Sequence, residues 1–170
     1  MDRQMNDLLG EIALLEIKTS EFYRLLWYFF PESSTFWAGL CGENECFALI
    51  MQCAKEQFIE ERLSRIRSLD PDLAITREKI ARIDETIAEY RCRPPARERA
   101  LLDAVKMELS LGELYLDFSL TLPLEPGALD HLRDLIGANE SHVGKILKEI
   151  REFCEEPAAF PPQVQNAGEP

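Results

Sequence analysis

The sequence predicts an all-α protein: an antiparallel four-helix bundle whose second and third long helices are joined by a crossover carrying one extra short helix. Three observations predict it. Apolar residues recur at three- and four-residue spacing through most of the 170 residues, and no useful length alternates with the two-residue period of a strand. Prolines fall at the seams between these stretches. The two halves of the chain also repeat one another, hairpin on hairpin.

Residues 3–30 form the first helix, with Leu8, Ile12, Leu15, Phe22, Leu26 and Phe29 on its apolar face. Pro31 ends it, and Ser33-Ser34 offers an N-cap to the next. The second helix runs over 35–69, through Phe36, Leu40, Phe47, Ile50, Phe58, Leu63 and Ile66, and stops at Asp70-Pro71. Ile75, Ile80, Ile83 and Ile87 mark the short helix, about 74–91, expected outside the main bundle. Pro94-Pro95 breaks it, and Pro95 suits the first turn of a helix reaching about residue 121. LPLEPG at 122–127 is a loop, and the last helix covers about 128–155. The bundle therefore occupies residues 1–156. The remainder, 157–170, has little to pack and is expected to be a disordered tail.

Composition narrows the partners. A net charge of −12 repels phosphate backbones, which argues against nucleic acid. The longest strongly apolar run, LLWYFF at 25–30, is far short of the roughly 20 residues a membrane span needs. The start lacks a basic segment followed by an unbroken apolar one, so no secretory signal is read and a cytoplasmic location is expected. Five cysteines (41, 46, 53, 92 and 154) form no CxxC pair and are expected as reduced thiols, Cys46 apart as mostly buried ones. Trp27, Tyr28, Phe29, Phe30, Phe36 and Trp37 gather at one end of the bundle, as an end-cap or as the surface of a homodimer.

Each long helix places a polar residue on an apolar row. Glu16 lies among Leu9, Ile12, Ala13, Thr19, Ser20 and Tyr23. Glu43 lies among Phe36, Leu40, Phe47 and Ile50, with Cys46 one turn on. Glu108 lies among Leu101, Ala104, Val105, Leu111 and Tyr115. Asn139 lies among Leu132, Leu135, Ile136, Val143 and Ile146, with His142 one turn on. These rows hold no opposite charge, and an unpaired buried carboxylate costs several kcal/mol. A divalent metal, protonation, or hydrogen bonds from Tyr23 and Tyr115 could neutralise them. Glu140 and Glu45 also lie among small residues, but on faces suited to close helix packing rather than to a shared centre. His131 lies among polar residues and is expected at the surface. The repeat brings the four rows into correspondence: LLEIKTSEFYRLL aligns with KMELSLGELYLDF, setting Glu16 over Glu108, and FWAGLCGENEC aligns with LRDLIGANESH, setting Glu43 over Asn139 and Cys46 over His142.

On these motifs residues 5–153 resemble the ferritin-like superfamily, and within it the rubrerythrin-type di-iron proteins. The carriers are E-x5-F-Y at Glu16–Phe22–Tyr23, L-x-x-E at Leu40–Glu43, E-x6-Y at Glu108–Tyr115, and the histidine of a last-helix E-x-x-H at His142. The resemblance implies a ferritin-like bundle and a metal centre, usually of iron, held by a glutamate from the first and third helices and Glu-x-x-His from the second and fourth. Glu16, Glu43, Glu108 and His142 match four of the six ligand positions. Cys46 stands where a histidine is expected, and Asn139 where a bridging glutamate is expected; both are expected to complete the ring. A thiolate at Cys46 would favour zinc over an oxygen-activating iron pair. Three readings stay open: a di-iron oxidoreductase with altered ligands, reducing peroxide or oxygen or handling iron; a one-metal site of iron or zinc; and a metal-free interaction or structural protein with no cofactor. A homodimer is expected in each, and the redox partner of the first is not named by the sequence.

Overall fold

The computed structural model describes residues 2–58, 68–122 and 126–155. The described residues form five helices and no strand: α1 (Asp2–Phe29), a 3-10 turn (Pro31–Ser33), α2 (Ser34–Phe58), α3 (Asp70–Cys92), α4 (Arg97–Thr121) and α5 (Pro126–Glu155). None of these helices is long and apolar enough to cross a membrane. The expected continuation of the second helix through Leu63 and Ile66 and the tail from residue 157 lie outside the described residues, as do residues 123–125 of the LPLEPG loop, whose last two residues, Pro126 and Gly127, begin α5 instead.

The all-α expectation holds, and the crossover is where the fold departs from it. α3 is a helix of 23 residues, and Asp70-Pro71 begins it rather than ending α2. Proline in the first turn forgoes an amide that has no intrahelical partner there, and Asp70 and Asp72 complement the positive end of the helix dipole. Its buried row is Leu73, Thr76, Ile80, Ile83, Ile87 and Tyr90, a strict alternation of three and four residues. Ile75, counted on the apolar face from sequence, is 44 % exposed; Thr76 holds the buried position and satisfies its hydroxyl on the Asp72 carbonyl at 2.8 Å.

α3 packs along α1. Gln4 donates to Asp70, Arg77 pairs with Glu11, Lys18 pairs with Asp84, and Phe22 meets Tyr90. The first three pairs share one offset, 66 residues, and recur every seven, so α1 and α3 run parallel in heptad register. α1 is buried on two rows. Met5, Leu8, Ile12, Leu15, Thr19, Phe22 and Leu26 form one; Leu9, Ala13, Glu16, Ser20 and Tyr23 form the other. The second row meets α2, where Tyr23 stacks on Trp37, and α4, through Tyr23–Glu108 and Glu16–Tyr115. From these pairs α4 runs antiparallel to α1.

Ser33 is not spent on capping α2. Its hydroxyl donates to Glu149 at 2.7 Å and accepts from Arg97, which pairs with the same glutamate at 2.8 Å. The turn after α1, the start of α4 and the end of α5 are thereby fastened at one end of the molecule. The aromatic group beside it divides: Trp37 is fully buried and Phe30 nearly so, whereas Tyr28 is 79 % and Trp27 44 % exposed. Of the cysteines only Cys41 is buried; Cys46 is exposed, and so are Cys53, Cys92 and Cys154, against the expectation of mostly buried thiols at those three positions. Positions 53, 92 and 154 fall on the outer faces of their helices, where a thiol meets solvent.

Candidate functional site

α1, α4 and α5 each bring one buried polar row to the middle of the molecule. Glu16, Glu108, Asn139 and His142 are all at most 5 % exposed. All sit on the three-and-four rhythm of their helices: Leu101, Ala104, Glu108, Leu111, Tyr115 and Phe118 on α4; Leu132, Leu135, Asn139, His142 and Ile146 on α5. Helical periodicity alone therefore aims them inward.

The ring is closed by internal donors. Glu108 accepts from the Tyr23 hydroxyl at 2.5 Å, from the Asn139 amide at 2.6 Å, and faces His142 Nδ1 at 3.2 Å. The other ring nitrogen of His142, Nε2, lies 2.8 Å from Glu43 on α2. Lys145, one turn beyond His142, reaches both oxygens of the same Glu43 carboxylate at 2.6 Å. Glu16 accepts a short bond from Tyr115. A continuous path thus runs Lys145–Glu43–His142–Glu108–Tyr23, with Asn139 beside it and Glu16–Tyr115 adjoining.

Electrostatics follow from this wiring. Burial pushes the Glu16 carboxyl up to about 8; the Tyr115 bond holds it back and the charge of Glu108 adds to the rise. Burial would lower His142, yet Glu108 and Glu43 on its two nitrogens outweigh burial and raise it. Burial would raise Glu43, and the bonds from Lys145 and His142 overcome it, so its net displacement is downward. Burial first, then Glu108, lifts the Tyr23 hydroxyl well above its ordinary range, keeping it a neutral donor. Lys145 faces Glu43, and His142, its pKa raised, lies between Glu43 and Glu108, while Glu16 is held toward its neutral form.

The sequence-derived set is thus brought together in part. Glu43, Glu108, His142 and Asn139 share one network, and Glu16 adjoins it. Cys46 does not join: it is exposed on α2. The reason lies in how α2 and α5 meet. They share only a thin seam, so the α2 row of Phe36, Glu43, Phe47 and Ile50 is half-buried and the Glu43 side chain is 44 % exposed. The apolar rows show opposite charge only within one helix, and Lys145 reaches Glu43 from another. The signal was the three-residue step Asn139–His142–Lys145, which sets the lysine on the edge of the same face.

The position where the second histidine is expected is at the surface, Asn139 presents its amide hydrogens to Glu108, and Glu43 is engaged on both oxygens by an ammonium. Among the described residues no group of three or more His, Cys, Asp or Glu side chains is arranged to hold a metal ion. A groove of about 310 Å³ between α4 and α5, walled by Leu109, Leu116, Ile136 and Val143, leads from the surface to Glu108 and Asn139. Comparison with protein-family models, curated proteins and solved structures finds no match to this chain.

Proposed function

We propose that the chain is a ferritin-like bundle of rubrerythrin type whose carboxylate–histidine centre has become an internal ion-pair and hydrogen-bond network, and that it acts as a binding or structural protein rather than as a di-iron oxidoreductase. The observation that carries this reading is the double contact of Lys145 with Glu43. It puts a covalently tethered cation on the carboxylate that would bridge to a metal. Tyr23, Asn139 and His142 satisfy Glu108 in the same way, so the desolvation cost of the buried acids is offset from within. The resemblance of the Glu16, Glu43, Glu108 and His142 positions to the family's ligands, and the antiparallel packing of α1 on α4, support the ferritin-like part.

The test is metal content of protein purified without added metal, with the thermal midpoint measured with and without ferrous ion and with chelator. Expected are well under one metal ion per chain and a midpoint that neither addition moves, since only a ligand of the folded state raises it. Two tightly held irons per chain would establish the oxidoreductase reading instead.

A one-metal reading has one observation of its own. Lys145 is 42 % exposed, so it can swing into solvent and leave the Glu43 carboxylate facing Nε2 of His142. On that reading Lys145→Met binds one zinc ion per chain and the parent binds it at least as a weak competitor of the lysine. On the favoured reading neither does.

A further inference from the structure

The cations of this acidic chain are not evenly spread. Nineteen lysines and arginines stand against thirty-one acids, yet four of them, Lys79, Arg82, Arg99 and Lys106, line one cleft of about 240 Å³ between α3 and α4. The cleft is held open at two levels. Toward one end the Tyr90 hydroxyl of α3 donates to Asp103 of α4 at 2.9 Å; toward the other Lys79 donates to Ser110. Between these struts the two helices stand apart, and the floor is apolar: Ile83 and Leu111 are buried and Met107 half-buried.

The cations there outnumber their acids. Arg99 and Lys106 share a single carboxylate, Asp103, which also takes Tyr90. Arg82 turns along its own helix to Glu78 in a pair exposed on both sides. Lys79 forms no ion pair among the described residues; its ammonium is half-buried and bonded to the Ser110 hydroxyl alone. Burial lowers the Lys79 pKa, Glu113 and Glu78 nearby oppose it, and Arg82 adds to the lowering. A half-buried ammonium and two cations sharing one acid leave a positive field over an apolar floor, and field lines focus in such a cleft. The Ser110 hydroxyl, which accepts from Lys79, keeps its own hydrogen as a neutral donor at the rim.

We propose that this α3–α4 cleft is a binding site for a small organic phosphate: a dianionic head between Lys79 of α3 and Lys106 of α4, and an apolar body of a few carbons on Ile83, Met107 and Leu111. The site is separate from the Glu108–His142 centre and does not rest on the reading given to it. Charge-assisted bonds to the two ammonium groups supply the head-group affinity. The volume admits a phosphate with a short chain and excludes a polymer, in keeping with the repulsion of the rest of the surface for nucleic acid.

The experiment is calorimetric titration of the full chain at low salt with three probes: hexyl phosphate, inorganic phosphate and hexanoate. Expected is hexyl phosphate binding about tenfold tighter than either of the others. Lys79→Met is expected to weaken it about tenfold and Lys79→Arg to keep most of it. Lys148→Gln removes a charge from α5, outside the cleft, and is expected to leave the affinity unchanged. Lys106→Gln is a second cleft variant, expected to weaken binding should Lys79→Met fold poorly. No heat from hexyl phosphate up to ~10 mM on folded protein overturns the site. Hexanoate binding as tightly overturns the dianion, inorganic phosphate binding as tightly overturns the apolar floor, and an equal loss in Lys148→Gln overturns the location.

Discussion

Glu16 and Glu108 carry the same side chain into the same core and are treated differently. Glu108 has three internal partners, whereas Glu16 has one, and burial lifts its pKa from 4.5 to about 8. A carboxyl held protonated in the fold stabilises fully below its unfolded pKa, and that stability is lost as pH rises from there through the folded value. At about 1.4 kcal/mol per pH unit the interval is worth several kcal/mol. Glu16→Gln is therefore expected to leave the thermal midpoint near the parent's at pH 5 and exceed it at pH 8, a relative gain of roughly 1–3 kcal/mol. Parallel midpoint curves from pH 5 to 8 would show that Glu16 is not protonated in the fold. His142 acts in the same direction, because its raised pKa contributes stability below 6.5 that fades as pH climbs through the folded value. Glu43 is displaced downward and sets the acid limb, its contribution disappearing as pH falls from 4.5. The parent is expected to be most stable between these limbs, on the acid side of neutrality. Tyr23→Phe strips Glu108 of its shortest donor while keeping the ring on Trp37, and is expected to cost about 1–3 kcal/mol by denaturant unfolding.

The helices themselves were legible where periodicity was strong and ambiguous where two rows competed. Glu16, Glu108, Asn139 and His142 could be found from sequence because burial follows the three-and-four rhythm, which any isolated polar residue on such a row must obey. Cys46 lies one turn from Glu43 but on the side that looks away from α5, and periodicity could not reveal that this seam is thin. The length of α3 was underestimated because Asp70-Pro71 ends one helix as readily as it begins the next. Its packing on α1 rests on pairs 66 residues apart, beyond any local pattern. Two tests follow. Ile83→Ala is expected to destabilise by about 2–4 kcal/mol, because it opens a cavity against buried neighbours, whereas Ile75→Ala on the exposed side is expected to stay within about 0.5 kcal/mol. Equal losses at both positions would refute the Leu73–Thr76–Ile80–Ile83–Ile87–Tyr90 row. The paired change Cys46→His with Asn139→Glu restores the family's ligand types, yet it is expected to gain no firmly bound iron, since residue 46 lies at the surface. Two irons per chain in that variant, by metal analysis, would show that the α2 face turns inward.

The molecule as a whole is tightly joined along α1 and loosely joined between α2 and α5. α1 contacts α2 and α3 along their lengths and bonds to α4, so it lies at the centre of the packing. Across the opposite seam Glu43 is the residue of α2 seen bonding to α5. Local opening draws on the least buried contacts. Amide exchange is therefore expected slowest in the middle of α1 and faster over Gly39–Ile50 of α2, and the reverse order would contradict this hierarchy.

The two tyrosine–glutamate bonds between α1 and α4 cross: Tyr23 bonds Glu108, and Tyr115 bonds Glu16. Residue i of one helix meets residue j of the other, and j′ meets i′, which is the signature of an isologous two-fold contact, here contained within a single chain. A contact of this kind is satisfied by two copies of either half as well as by one of each. The α4–α5 hairpin carries Glu108 and Tyr115 together, so two such hairpins brought face to face can make both bonds with no help from α1.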